Sequence, residues 1–293
     1  MQAGYLGVDI GGTKVAAGLV NAGGKILSRA RVAMNARGTE AEGSAAVEAA
    51  IEKALAGGRA KAIGLSSPGP LDPKRGVVIN PPNLPCWRNF ALARAVERKF
   101  GLPTRLDNDA NAAALAEARW GAGRKYGIVF YATLGTGIGA GLVLDGRIYH
   151  GRTGAAVEGG HVSLDPKGPR CGCGKRGCIE ALASGPAVAR RAKAENAEAV
   201  AAAWRAGDKA AEQVLAETAQ YLAMWLGTIV DLLEPEVIIF GGGMGKLMAE
   251  WFPQIRAALP QWSINQRATE IPLRAARYGA DAGIAGAAAL CLP

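Results

Sequence analysis

The chain has 293 residues, 49% of them hydrophobic, which is long enough for two packed domains and short for three. It carries no apolar run long enough to span a bilayer, and its opening MQAGYLGVDIGG has neither a basic n-region nor a small-residue cleavage site, so a cytoplasmic protein with no membrane partner is expected. Lys and Arg number 34 against 25 Asp and Glu, a net charge of +9, yet the basic residues are scattered in twos and threes without interleaved aromatics, which reads as a solvated surface with no nucleic-acid partner.

The opening GYLGVDIGGTKVAAGLVNAGGKILSRARVAM predicts strand, glycine turn, strand, Asn-Ala-Gly-Gly hairpin, strand, an antiparallel meander. TEAEGSAAVEAAIEKALAGG then has helical periodicity closing at Gly-Gly, and AIGLSSPG is a short buried strand. NFALARAVERKFG is a second helix, PTRLDND a strand ending in acids and amides, and ANAAALAEARWGAG a helix directly after them. From Gly127, YGIVFYATLGTGIGAGLVLDGRIYHG repeats the opening grammar: strand, glycine turn, strand, Asp-Gly hairpin, strand. Beyond CGCGKRGC come alanine-rich helices to about Val230, the buried strand EVIIFGGG, a helix around LMAEWFPQIRAAL, the strand IPLRAARYG and the small-residue helix DAGIAGAAALCL. The fold class is α/β, with mixed sheets and two similar lobes.

A strand turning sharply through Gly11, Gly12 and Thr13 presents successive backbone N–H groups and a hydroxyl to an anion. Asp9 ends the preceding strand, where a carboxylate tolerates phosphate when a hard cation such as Mg2+ lies between them, and Lys14 adds positive charge. Gly135, Thr136 and Gly137 offer the same cradle in the repeat, and Gly241, Gly242 and Gly243 let backbone approach a nucleotide closely. Singly, such turns are ordinary hairpins; their duplication is the signal. The P-loop pattern GxxxxGK(S/T) is absent, and so is a Rossmann fingerprint, because both turns join strand to strand.

In RLDNDANAA, Asp109 stands where a helix cap or a proton-accepting base could equally stand, while Asp107 suits a cap better. Of five cysteines, Cys171, Cys173 and Cys178 crowd into one loop with His161 ten residues upstream of the first, a Cys3His set for structural Zn2+ with no open coordination position. Cys86 and Cys291 read as ordinary small residues, and His150 as a surface or packing residue. Glu158 and Glu180 flank the zinc set and either face solvent or accept hydrogen bonds from one neutral polyol.

Together, DIGGTK at 9–14, DNDAN at 107–111, LGTGIGAG at 134–141, EGGH at 158–161 and CGCGKRGCIE at 171–180 resemble the ROK family over nearly the whole chain. The resemblance implies a two-lobed actin-like ATPase fold, a duplicated ribonuclease H-like unit with mixed sheets and ATP in an interlobe cleft. Residues 1–115 with 281–293 would form the smaller N-terminal lobe, and 116–280 the larger lobe with the zinc loop. It implies ATP-dependent phosphorylation of a hexose, with a sugar set most similar to that of the family's glucokinases, and a homodimer. Residue by residue, Asp109 matches the family's base, Asn108 its sugar-contacting neighbour and Asn83 an amide meeting a sugar hydroxyl, with Glu158, His161 and Glu180 as the remaining sugar contacts. His161 would serve twice, one ring nitrogen on zinc and the other toward the sugar. The family's usual stretch before that His is close to GEIGH; here Val157 and Gly159 depart from it, so mannose, fructose, N-acetylglucosamine or N-acetylmannosamine stand beside glucose as acceptors. Many relatives are repressors with an N-terminal helix-turn-helix, and with Met1 eight residues before Asp9 no such module is expected. A sugar-responsive regulator without chemistry and a zinc-dependent nucleic-acid binder are the rival classes.

Overall fold

Two seven-residue apolar runs on either side of a glycine turn pair as antiparallel strands β1 (Gly4–Ile10) and β2 (Lys14–Val20), with Ile10 opposite Val15 and Tyr5 opposite Val20. A third strand, β3 (Ala30–Ala33), pairs antiparallel with β2 and completes the expected meander. Helix α1 (Glu40–Leu55) opens on a capping box, the Thr39 hydroxyl accepting from Glu42 N while the Glu42 carboxylate accepts from Thr39 N at 2.6 Å. It returns the chain to β4 (Ala60–Ser67), parallel to β1, after which β5 (Leu71–Asp72) and β6 (Val77–Val78) form a small hairpin. Helix α2 (Leu92–Phe100) stops at Gly101, whose φ of 66° favours glycine, and β7 (Thr104–Asn108) runs parallel to β4 and leads directly into α3 (Asp109–Trp120). The sheet order is β3-β2-β1-β4-β7.

The computed structural model describes residues 4–292, which divide into two units: the chain up to Arg124 with Gly146–Val157 and the segment from Ala280 onward, and Lys125–Asp145 with Glu158–Gly279. In the second unit β8 (Ile128–Leu134) and β9 (Ile138–Leu144) pair antiparallel, Leu134 opposite Ile138. After a short strand β10 (Arg147–Ile148), which belongs to the first unit, come α4 (Ile179–Ala183), α5 (Gly185–Ala192), α6 (Ala197–Arg205) and α7 (Lys209–Leu233). Strand β11 (Val237–Gly241) lies parallel to β8, and β12 (Leu273–Ala275) parallel to β11. The order β9-β8-β11-β12 repeats β2-β1-β4-β7, so the duplication visible in the letters is a duplication of topology. Where the sequence predicts one helix around LMAEWFPQIRAAL, the chain forms α8 (Gly242–Met248) and α9 (Phe252–Ala258), separated by a 3-10 turn at Ala249–Trp251. Pro253 in the first turn of α9 explains the break, because proline donates no hydrogen bond to a preceding turn.

The last helix, α10 (Ala282–Ala289), belongs to the first unit and is built of Ala and Gly with one Ile. A Cβ at Gly7 of β1 would stand 1.9 Å from the Ile284 carbonyl oxygen, and one at Gly64 of β4 only 1.7 Å from that of Ala287. Glycines in the sheet and small residues in the helix therefore bring the two backbones into direct contact. On the other side of that sheet Leu6, Val8, Ile51, Ile63, Leu65 and Trp87 form a buried core. Among the described residues no helix is long and apolar enough to cross a membrane.

Candidate active site

The parallel strands β1, β4 and β7 end along one edge of the first sheet, the place where open α/β sheets hold their ligands. Asp9 is in register with Ser66, and Ser66 with Asp107. Ser66 Oγ donates to Asp9 Oδ1 at 3.1 Å; burial raises the Asp9 carboxyl above the usual range, while the Ser66 bond and the Lys14 charge act in the opposite direction. Gly283 of α10 lies against this acid, since a Cβ there would fall 2.2 Å from the Asp9 carboxyl carbon. The β1–β2 turn is closed by Gly11 N donating to Lys14 O at 2.9 Å, with Thr13 and Lys14 exposed. A Cβ on Gly12 would stand 2.7 Å from the Asn83 carbonyl oxygen, which puts the Asn83 loop beside the first glycine turn.

At the β7–α3 junction the expected cap is corrected. Asn108, not Asp107, caps α3: its Oδ1 accepts from Ala110 N at 2.9 Å and from Asn111 N at 3.4 Å. Asp107 is only 4% exposed, so its oxygens need internal partners, and they find Asn108 N at 2.8 Å, Asn111 Nδ2 at 3.1 Å and His150 Nε2 at 2.6 Å. His150, read from the sequence as a surface or packing residue, is thus the partner of a buried carboxylate, and that hydrogen bond raises its pKa. Asp109 occupies the first position of α3 and is exposed, with Oδ1 accepting from Ala110 N at 2.8 Å.

In the second unit, Glu180 Oε2 accepts from Ile138 N at 3.0 Å, just past the turn Gly135–Gly137. A Cβ on Gly137 would sit 2.6 Å from that oxygen, so this glycine is what lets Glu180 reach the turn. Gly185 N, at the start of α5, donates to Gly135 O at 2.8 Å. In the glycine run after β11, Gly241 abuts the Tyr131 hydroxyl, and Gly242, at φ 80°, abuts the Leu134 carbonyl. Only Gly243 faces open space, and with Met244, Lys246, Ala201 and Arg205 it lines a cavity of roughly 450 Å³.

Nearby, His161, Cys171, Cys173 and Cys178 place one ligand atom each within 4.8 Å of the others. Cys173 Sγ lies 3.6 Å from Cys178 Sγ, and Cys171 Sγ 3.6 Å from His161 Nδ1. A tetrahedron with Zn–S of about 2.3 Å and Zn–N of about 2.05 Å has S–S and S–N edges of about 3.8 and 3.6 Å, so the set fits zinc. Without a cation the thiols resist ionisation at two corners: burial pushes Cys171 up to about 12 and raises Cys178, while the Lys175 backbone N–H lowers Cys173. Gly177, at φ 63°, could not be another residue here, since a Cβ would lie 1.8 Å from the Asp165 carbonyl oxygen.

Glu158 is exposed at the head of the single turn Gly159–His161. The departure at Gly159 has a physical reason, because the space a bulky residue would need is held by the buried Trp225, whose ring would be 3.2 Å from a Cβ there, and by Ala140 at 3.0 Å. Trp225 in turn meets Phe130 edge to face at 5.7 Å. Ser66, Gly283 and His150 were not singled out as site residues from the sequence; the Ser pair ending AIGLSSPG was the one available signal, while Gly283 and His150 reach their partners from more than forty residues away.

Two units that each turn a strand pair through glycines and back it with parallel strands define the duplicated, actin-like class of ATPase folds. The ROK family model matches residues 5–293, and the chain belongs to the ROK family. It is 34% identical over 305 residues to the glucokinase of Thermotoga maritima, covering 97% of this chain and 96% of that protein. It is 35% identical over 289 residues to the N-acetylmannosamine kinase of Salmonella typhi, covering 97% of each. The crystal structure of a ROK family glucokinase from Streptomyces griseus in complex with glucose and AMPPNP superposes with a TM-score of 0.84 at 35% identity, covering 98% of this chain and 99% of that one.

Proposed function

We propose that this chain is an ATP-dependent hexokinase that converts glucose to glucose 6-phosphate, with Asp109 as the base. The observation that carries this reading is the shared strand edge, where Asp9 on β1 and Asp107 on β7 are in register through Ser66. At about 4.8 Å per strand they stand about 10 Å apart, room for a hexose hydroxyl and a phosphoryl group between the first glycine turn and Asp109.

Asn83 and Asn108 hold sugar hydroxyls, Glu158 and Glu180 accept from them, and His161, whose Nδ1 faces the thiols, donates from Nε2. Asp109 takes the proton of the 6-hydroxyl as that oxygen bonds to the γ-phosphorus; the bond from phosphorus to the β,γ-bridging oxygen breaks and ADP leaves with the electron pair. Backbone N–H groups at Gly12 and Thr13, and at Thr136 and Gly137, receive the phosphates, while the N–H groups of Gly11 and Gly135 close the two turns internally; the cavity at Gly243 receives the adenosine, with Gly241 and Gly242 shaping its approach. Asp9, whose burial disfavours an unaccompanied charge, would carry Mg2+, which supplies charge neutralisation on the phosphates. His161, Cys171, Cys173 and Cys178 would hold zinc as a structural ion that fixes the loop carrying Glu158 and Glu180. The protein works as a homodimer in the cytoplasm, with sugar and ATP as its partners and no nucleic acid.

Kinase activity on N-acetylmannosamine is the second reading, favoured by a relative that is 35% identical, against 34% for the Thermotoga maritima glucokinase. A coupled ADP-release assay with Mg-ATP across glucose, mannose, fructose, N-acetylglucosamine and N-acetylmannosamine decides between them. The highest kcat/KM is expected for glucose. A clear preference for N-acetylmannosamine would transfer the assignment to it, and turnover of none of the sugars would end the enzyme reading.

A further inference from the structure

Six cationic side chains from five separate segments, Lys74, Arg75, Arg94, Arg105, Arg119 and Arg147, line one cavity of roughly 780 Å³ in the first unit. Among the described residues that line it, only Glu97 and Asp107 oppose them, and Asp107 already holds His150 at 2.6 Å. Chain-wide the ratio of basic to acidic residues is 34 to 25, so folding gathers here a positive excess that the linear sequence spreads out. Elsewhere the arginines Arg29, Arg191, Arg205 and Arg267 each meet a carboxylate. Among the described residues, Lys74, Arg75, Arg94, Arg105 and Arg147 join no ion pair. Like charges converging on a concave, partly apolar wall, here Leu106, Leu115 and Leu290, focus the field and raise the local concentration of anions. The volume is that of a small-molecule site.

We propose that this cavity binds a small polyphosphorylated anion. Among the described residues, the five cations that join no ion pair exceed Glu97, the one lining carboxylate not held by His150, by four, which two phosphate groups of about −1.5 to −2 each would balance. The cations come from the β5–β6 turn, α2, β7, α3 and β10, so they surround the cavity from several sides and reach more than one phosphate. None of the residues assigned to the hexose or to ATP lines it. The site therefore goes beyond the kinase reading, and its test requires no turnover.

The test is isothermal titration of the full chain saturated with glucose, Mg2+ and AMPPNP, so that the phosphate cradles are filled. One arm uses a hexose bisphosphate, the other inorganic tripolyphosphate. Either anion should bind with about one equivalent per chain, weaken as salt rises, and lose at least about tenfold in affinity in the Arg94→Ala/Arg147→Ala double variant. Both side chains are exposed, so their truncation spares the core. Arg94→Lys/Arg147→Lys, which keeps the charge, should retain most of the binding. Binding of the hexose bisphosphate alone identifies a phosphorylated sugar as the source, and binding of tripolyphosphate alone an inorganic one. The proposal is overturned if neither anion binds the saturated protein, or if binding is unchanged in the double Ala variant.

Discussion

Gly283→Ala probes the contact between α10 and the phosphate side of the site. The added Cβ would lie 2.2 Å from the Asp9 carboxyl carbon and 2.3 and 2.6 Å from its oxygens, so a shift of about 1 Å is needed to reach an ordinary contact. The helix cannot easily supply that shift, because its backbone already abuts Gly7 and Gly64, and Gly286 abuts the Ala112 backbone. Asp9 must then swing away and give up its 3.1 Å bond to Ser66. Crowding costs about 1–3 kcal/mol, partly offset by up to about 1 kcal/mol of better helix propensity, so thermal stability should fall by only a few degrees. A catalytic group misplaced by about 1 Å can cost about 10²-fold in rate. In a coupled assay for glucose 6-phosphate, kcat/KM for Mg-ATP should therefore drop about 10²-fold while glucose affinity, followed by titration, is unchanged. Wild-type kinetics toward Mg-ATP in a folded Gly283→Ala protein would refute the role given to Asp9.

Metal analysis should return about one zinc per chain, and Cys178→Ser or exhaustive chelation should lower the unfolding midpoint by at least about 5 °C, with activity falling in parallel; a metal-free protein with unchanged midpoint and activity would contradict a structural ion. The His150–Asp107 pair gives a signed pH dependence. Because the folded-state pKa of His150 is raised, its stabilisation is complete below the unfolded value of about 6.5 and is lost as pH climbs through the folded value. Urea unfolding in phosphate-free buffer should therefore show a larger gap between wild type and His150→Ala at pH 6 than at pH 8.5, and a gap that is constant or widens with pH would contradict the pairing.

Local patterns carried much of the architecture. Glycine turns between short apolar runs announced both hairpins, and the capping residues Thr39 and Glu42 marked α1, because each depends on neighbours a few positions apart. The zinc set was legible for the same reason, three of its four ligands lying in one loop. What escaped depended on distant segments meeting. Asp107 read as a cap because spacing alone could not reveal that His150 would occupy its carboxylate. Gly283 looked like one small residue among many in DAGIAGAAAL until the helix lay on Asp9. The basic cavity was invisible for a related reason, since charges scattered in sequence converge only when α2, β7 and α3 assemble around it. Pro253 lies inside the predicted helix, and its missing N–H divides that segment in two.

The central claim, that one exposed carboxylate at the head of α3 removes the sugar proton, is tested most directly by Asp109→Asn, measured for turnover and for glucose binding on the same preparation. A fall in kcat of about 10²–10⁴ with glucose affinity held within a few fold is predicted. Turnover at the wild-type rate would contradict it.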